Sequence, residues 1–240
     1  MWMICTKEWR QFFSSATGYI AIIVFLLLNG LLLFVFPDTS LLDFGYASLN
    51  GFFDLAPWIL MFLIPTITMR SLADEYKSGS FEILKTIPLT PAQIVWGKFW
   101  GALLIVLLAL IPTVIYAFSI QALSAAGGLD VGSTIGSYAG LIMLGAVFTS
   151  VGICASSFTN NTVVAFISGA FVCFLLYTGF EAISRLPVIA AGVGYYIEML
   201  GIKFHYNSIS KGVIDLRDML YFAGVIFISL LITQRNVSRR

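Results

Sequence analysis

Five stretches of this chain are long, apolar and nearly free of charge: Gly18 to Phe36, Phe52 to Met69, Gly101 to Ile120, Tyr138 to Ala155 and Val163 to Phe180. A sixth, Met219 to Ile232, is shorter but extends backward through Leu216. A bilayer core takes about 20 predominantly apolar residues per helix, and within it every backbone group must be satisfied inside the segment. The expectation is an all-α integral membrane protein of six transmembrane helices. Composition agrees: 59% of residues are hydrophobic and 10% are charged, against about 25% charged in a soluble domain. Spanning lipid consumes nearly all of the 240 residues, so residues 1–240 read as one membrane domain with no separate catalytic unit.

The net charge of +1 is spread along the chain, which gives nucleic acid no basic surface. Cys154 and Cys173 fall inside apolar runs and Cys5 has no partner nearby, so neither a disulfide framework nor a metal-binding cysteine cluster is expected. The first apolar run follows Lys7 and Arg10 as a signal peptide would, but it is long enough to span and lacks a small-residue cleavage site; it reads as a retained helix. No Gly-x-x-x-x-Gly-Lys-Ser/Thr loop is present to cradle nucleotide phosphates, nor a His-Glu-x-x-His or Gly-x-Ser-x-Gly motif. The single histidine, His205, reads as structural. The spans hold almost no ionisable residue at mid-depth, where an ion-coupled carrier needs one. Energy coupling is therefore better assigned to a partner than to an ion gradient. Glycines of the fourth and fifth spans, including Gly140, Gly145, Gly152 and Gly169, read first as close helix packing, with pathway lining as the alternative.

Lysine and arginine set the sidedness. Lys7 and Arg10 precede the first span, Arg70, Lys77, Lys85 and Lys98 lie between the second and third, and Arg235, Arg239 and Arg240 follow the sixth. With six spans these segments share the cytoplasmic side. The loops from Pro37 to Asn50 and from Gln121 to Ser137 carry Asp38, Asp43 and Asp130 but no basic residue. The external segment 181–218 contains a short apolar stretch, Leu186 to Ile197, weakened by Gly192 and Gly194, so a re-entrant or interfacial element is expected there.

The segment between the second and third spans interleaves charge with Leu72, Tyr76, Phe81, Ile83, Leu84 and Ile87. Gly79 breaks a first helix, Ser80 can cap a second with Glu82 in its first turn, and Pro88 ends it. In "LTPAQI", Thr90 is an N-cap, Pro91 takes the first helical position, Gln93 completes a capping box, and Leu89 can staple onto Ile94. The result is a short transverse helix, Ser80 to Ile87, a ledge between two spans. An interfacial helix resting on lipid and a docking helix entering a partner's groove both satisfy this pattern.

The ledge also carries a resemblance. Glu75, Lys77, Ser78-Gly79-Ser80, Glu82-Ile83-Leu84, Pro88 and Gly97-Lys98 resemble the segment joining the second and third spans in permease subunits of ABC-2-type transporters, with Ser80 standing where threonine is usual. Over roughly the first 100 residues the chain is more closely similar to the gliding-motility permeases of that family. The resemblance implies a permease of the bacterial inner membrane, with cytoplasmic termini, that exports a substrate. Its implied partners are a cytoplasmic ABC ATPase dimer, a second copy or paralogous permease, membrane lipids and an auxiliary membrane-anchored protein. ATP and magnesium would sit on the ATPase, with no cofactor on this chain. Segment 71–90 would be the coupling helix, with Phe81, Ile83 and Leu84 as anchors, Glu75, Lys77, Glu82 and Lys85 as rim charges, and Ser78, Gly79, Ser80 and Pro88 shaping it. For Glu82 a plain role as a first-turn acid stays open. Residues 1–16 would form an interfacial helix through Trp2, Lys7, Trp9 and Arg10. The rival reading is a membrane anchor in a motility or secretion machine that moves a partner protein instead of a solute.

Overall fold

A computed structural model describes residues 2–36, 49–86, 88–124, 128–187, 191–212 and 215–239. The expected loop from Pro37 to Asn50, with Asp38 and Asp43, falls almost wholly outside the described residues, as does Ile87. The same holds for the side chains of Ile83, Lys85 and Thr86.

The described residues contain helices and no strand. In chain order they are α1 (Trp2–Phe13), α2 (Ala16–Phe34), α3 (Asn50–Thr68), α4 (Arg70–Ser78), α5 (Ser80–Thr86), α6 (Pro91–Leu110), α7 (Val114–Leu123), α8 (Val131–Ser157), α9 (Thr162–Phe174), α10 (Phe180–Ser184), α11 (Ala191–Glu198), α12 (Ile202–Ile209) and α13 (Leu216–Arg239). Five continuous helical stretches are long and apolar enough to cross a membrane: Asn50–Ser78, Pro91–Leu123, Val131–Ser157, Thr162–Ser184 and Leu216–Arg239. A sixth appears when α1 and α2 are taken together, bent by 73°. The bend divides two kinds of helix. The 19 residues of α2 carry no charge and reach about 28 Å, close to the core's thickness of about 30 Å. α1 carries Lys7, Glu8 and Arg10 among its apolar residues.

The sixth span exceeds the apolar run that revealed it, continuing past Gln234 and Arg235 to Arg239. The third span passes through a 3₁₀ turn at Ile111–Thr113, which holds Pro112. Pro57 and Pro65 sit inside α3, and the fifth span passes through a π turn at Leu175–Gly179 before α10. The capping box at the start of α6 is present in full: Gln93 N donates to Thr90 Oγ1 at 3.3 Å, and Thr90 N donates to Gln93 Oε1 at 3.1 Å. Thr90→Ala removes one half of it, and the thermal midpoint of the purified protein should fall by the equivalent of about 1 kcal/mol.

α8 is the central post, with 78% of its apolar window buried against 22% in the fifth and sixth spans. Small residues put it there. A Cβ added at Gly140 would lie 2.8 Å from Ile209, at Gly145 3.2 Å from Val106, and at Gly152 2.1 Å from Thr68 Oγ1. Each of these glycines is therefore a close helix crossing. Leu60, Ile64, Val106, Leu144, Val147 and Phe148 fill the core around this post.

The segment expected to be re-entrant forms α10, α11 and α12. Eight residues of α11 span only about 12 Å, too little to cross. α12 is tied down by Ser137 Oγ donating to Ser210 O at 2.6 Å and Tyr206 Oη donating to Phe53 O at 2.7 Å. His205 is buried within this segment. Its Nδ1 lies 2.7 Å from Asp218 Oδ1, its Nε2 2.9 Å from Met199 O, and its ring stacks on Tyr221 at 4.0 Å. It joins α12 to the start of α13, a structural post.

Candidate transmission site at the ledge

The ledge begins where α3 gives way to α4 at Met69. Ser156, near the end of α8, accepts from the amides of Leu72 and Ala73 at 3.1 and 3.0 Å and donates to Met69 O at 3.1 Å. α4 is thus attached to the central post at its root. It ends at Gly79, whose φ of 71° is left-handed and suits glycine. α5 follows and stops at Thr86, before Pro88. Ser80 is the first residue of α5 and its hydroxyl lies 2.9 Å from Ser78 Oγ, so it does not serve as the cap that its position suggested.

Two expected roles are corrected by packing. Phe81 is 4% exposed, with its ring 4.9 Å from Tyr76, and Leu84 is also buried. These residues hold the ledge onto its own stem, so they are not free anchors for a groove. Glu75 is 5% exposed and points inward, so it is no rim charge. Among the described residues of the ledge, Lys77, Ser78, Gly79, Glu82 and Pro88 are exposed and Ser80 is half-buried.

Beneath the ledge lies a cluster that sequence reasoning missed. Lys98 of α6 is fully buried. Its Nζ lies 2.6 Å from Glu8 Oε1 of α1, 3.0 Å from Glu75 Oε1 of α4, and 2.6 Å from Ser71 O. Lys7 Nζ reaches the same Glu75 Oε1 at 2.6 Å. Four alternating charges on three helices therefore meet in one place. Glu75 Oε2 is buried with no hydrogen-bond partner, a cost of about 1–3 kcal/mol. The legible hint was Lys98 itself, a lone charge between Val95, Phe99 and Ala102 on the inward face of a span.

α1 supplies two members of the cluster and packs along α6. Gly101 permits the approach, since a Cβ there would lie 2.9 Å from Glu8 Cβ. Ile4 and Cys5 are buried, Trp9 is half-buried with its ring 5.0 Å from Phe13, and Trp2 and Arg10 are exposed. Burial, and then the neighbouring Glu8 carboxylate, push the Cys5 thiol pKa up, which makes it a packing residue. All three cysteines are free thiols. Among the described residues no group of His, Cys, Asp and Glu could hold a metal ion.

A bundle of membrane-spanning helices with an outward polar ledge, braced from below to two spans and a crosswise helix, defines a multi-pass membrane protein with a built surface at one end. The sequence model for "ABC-2 family transporter protein" matches residues 43–233, most of the chain, and the chain belongs to that family. Its membrane domain is that of an ABC transporter permease subunit. A comparison with curated proteins finds no match.

Proposed function

We propose that this chain is the permease of an ATP-driven exporter in the bacterial inner membrane, and that a separate cytoplasmic ABC ATPase docks on the ledge. The observation that carries this reading is which described side chains of the ledge, from the end of α4 into α5, are buried and which are exposed. A helix resting on acyl chains turns its apolar face outward. Here Phe81 and Leu84 of α5 turn into the protein, while Glu82 of α5 and Lys77 and Ser78 at the end of α4 face out. A polar surface on a stem braced to the spans suits a soluble partner that pushes. ATP and magnesium belong to that partner, and the cargo pathway lies between this chain and a second permease.

The double substitution Lys77→Glu and Glu82→Lys keeps the net charge and touches only exposed positions. It should abolish co-purification of the ATPase while insertion and thermal midpoint stay at wild-type values; retention of the ATPase sinks the docking assignment. A change at Leu84 would instead test folding, because that side chain is buried. The similarity of roughly the first 100 residues to gliding-motility permeases favours a second reading, in which ATP hydrolysis moves a partner protein. A reconstituted complex that hydrolyses ATP yet moves no lipid, glycan or peptide supports it.

A further inference from the structure

We propose that Lys98 is a positioning residue for energy coupling: with Glu8, Glu75 and Lys7 it forms a clasp that makes α1 and α6 follow the ledge as one body. This rests on the transporter reading, because the clasp acts on force received at the ledge.

The geometry carries the inference. The ledge leaves the bundle through α4 and returns through α6, and the 3.0 Å contact of Lys98 with Glu75 closes the base of that loop. A push on α5 is then passed to the spans and does not splay the base. Lys7 and Glu8 are consecutive on α1, yet each reaches an opposite charge in the cluster, Lys7 to Glu75 and Glu8 to Lys98. α1 is thereby held to both the stem and the third span. It passes displacement on through its elbow to α2, which has no slack: a Cβ at Gly18 would lie 2.5 Å from the carbonyl of Phe12.

Stability does not account for the charges. A buried ion cluster is commonly matched or exceeded by neutral residues of similar volume, and this one leaves Glu75 Oε2 without a partner. What ionic contacts supply and apolar ones do not is a directional joint with a single arrangement. The clasp is also distinct from the docking surface, since Lys98 is fully buried and Lys77 and Glu82 are exposed.

The test is the neutral triple variant Lys98→Met, Glu8→Gln and Glu75→Gln, which leaves no uncompensated buried charge and so retains the fold. Spin labels at Met3→Cys on α1 and Asp74→Cys on the stem, with native cysteines replaced by alanine, report the joint in nanodiscs without any partner. The unmodified clasp should give one narrow distance distribution and the triple variant a broad one. With the ATPase bound, the triple variant should co-purify normally but lose about ten-fold or more of permease-stimulated ATP turnover. A narrow distribution together with unchanged turnover overturns the clasp. Failure of wild-type protein to capture an ATPase overturns the transporter reading instead, and the partner-free distances then still decide whether the clasp exists.

Discussion

Replacing Gly152 with alanine should lower the thermal midpoint of the purified protein by the equivalent of about 3 kcal/mol, and adding Thr68→Ala should restore most of it. The added methyl would sit 2.1 Å from Thr68 Oγ1 and 3.1 Å from Thr68 Cβ, where α3 crosses α8. Neither helix can give way easily. Thr68 is fully buried, its hydroxyl donates to Ile64 O at 3.0 Å, and the next turn of the chain is pinned to α8 through Ser156. Thr68→Ala alone should cost about 1 kcal/mol for the lost hydrogen bond. Because the two residues touch, their effects are strongly non-additive. The measurement is a double-mutant cycle of melting midpoints in detergent; additive losses would show that the crossing is looser than its geometry.

The second large effect is at Lys98. Lys98→Met alone takes from Glu8 its ion-pair partner and leaves Glu75 with Lys7 only, and removing one partner of a buried pair costs about 3–5 kcal/mol. The neutral triple variant removes all three charges and should return to within about 1 kcal/mol of wild type, or exceed it. Surface substitutions offer the contrast: Arg70 and Asp74 pair at 4.0 Å with both side chains well exposed, and Asp74→Ala should shift stability by only about 0.3–0.5 kcal/mol. Equal losses in the single and triple variants would mean that the charges are hydrated and the site is not the closed cluster the distances describe.

Much of the architecture was legible because lipid imposes long-range order on composition. Runs such as Val163 to Phe180 have to be helices in hydrocarbon, and the structure places helix over every one of the predicted spans. Thr90, Pro91 and Gln93 were legible for a different reason, since a capping box is satisfied within one turn. The ends of the spans were harder. Hydropathy stops at the first charge, whereas α13 runs on through Arg235 because the backbone hydrogen bonds continue.

The ledge shows where local reasoning ended. Gly79 and Pro88 delimit its short helix from sequence, because φ preferences and a missing N–H act within a few residues. Which face of that helix meets water depended on Tyr76 and on the stem beneath it. That reversed the expected roles of Phe81 and Leu84 and drew Glu75 inside.

From the residues alone, then, came the membrane, the spans, the capped breaks and the family pattern, all consequences of short-range rules or of the solvent. The joining of Lys7, Glu8, Glu75 and Lys98 could come only from the packed chain. Partners separated by 68 and 90 positions have no local pattern that pairs them, and they meet because α1, α4 and α6 are brought together by the burial of their apolar neighbours.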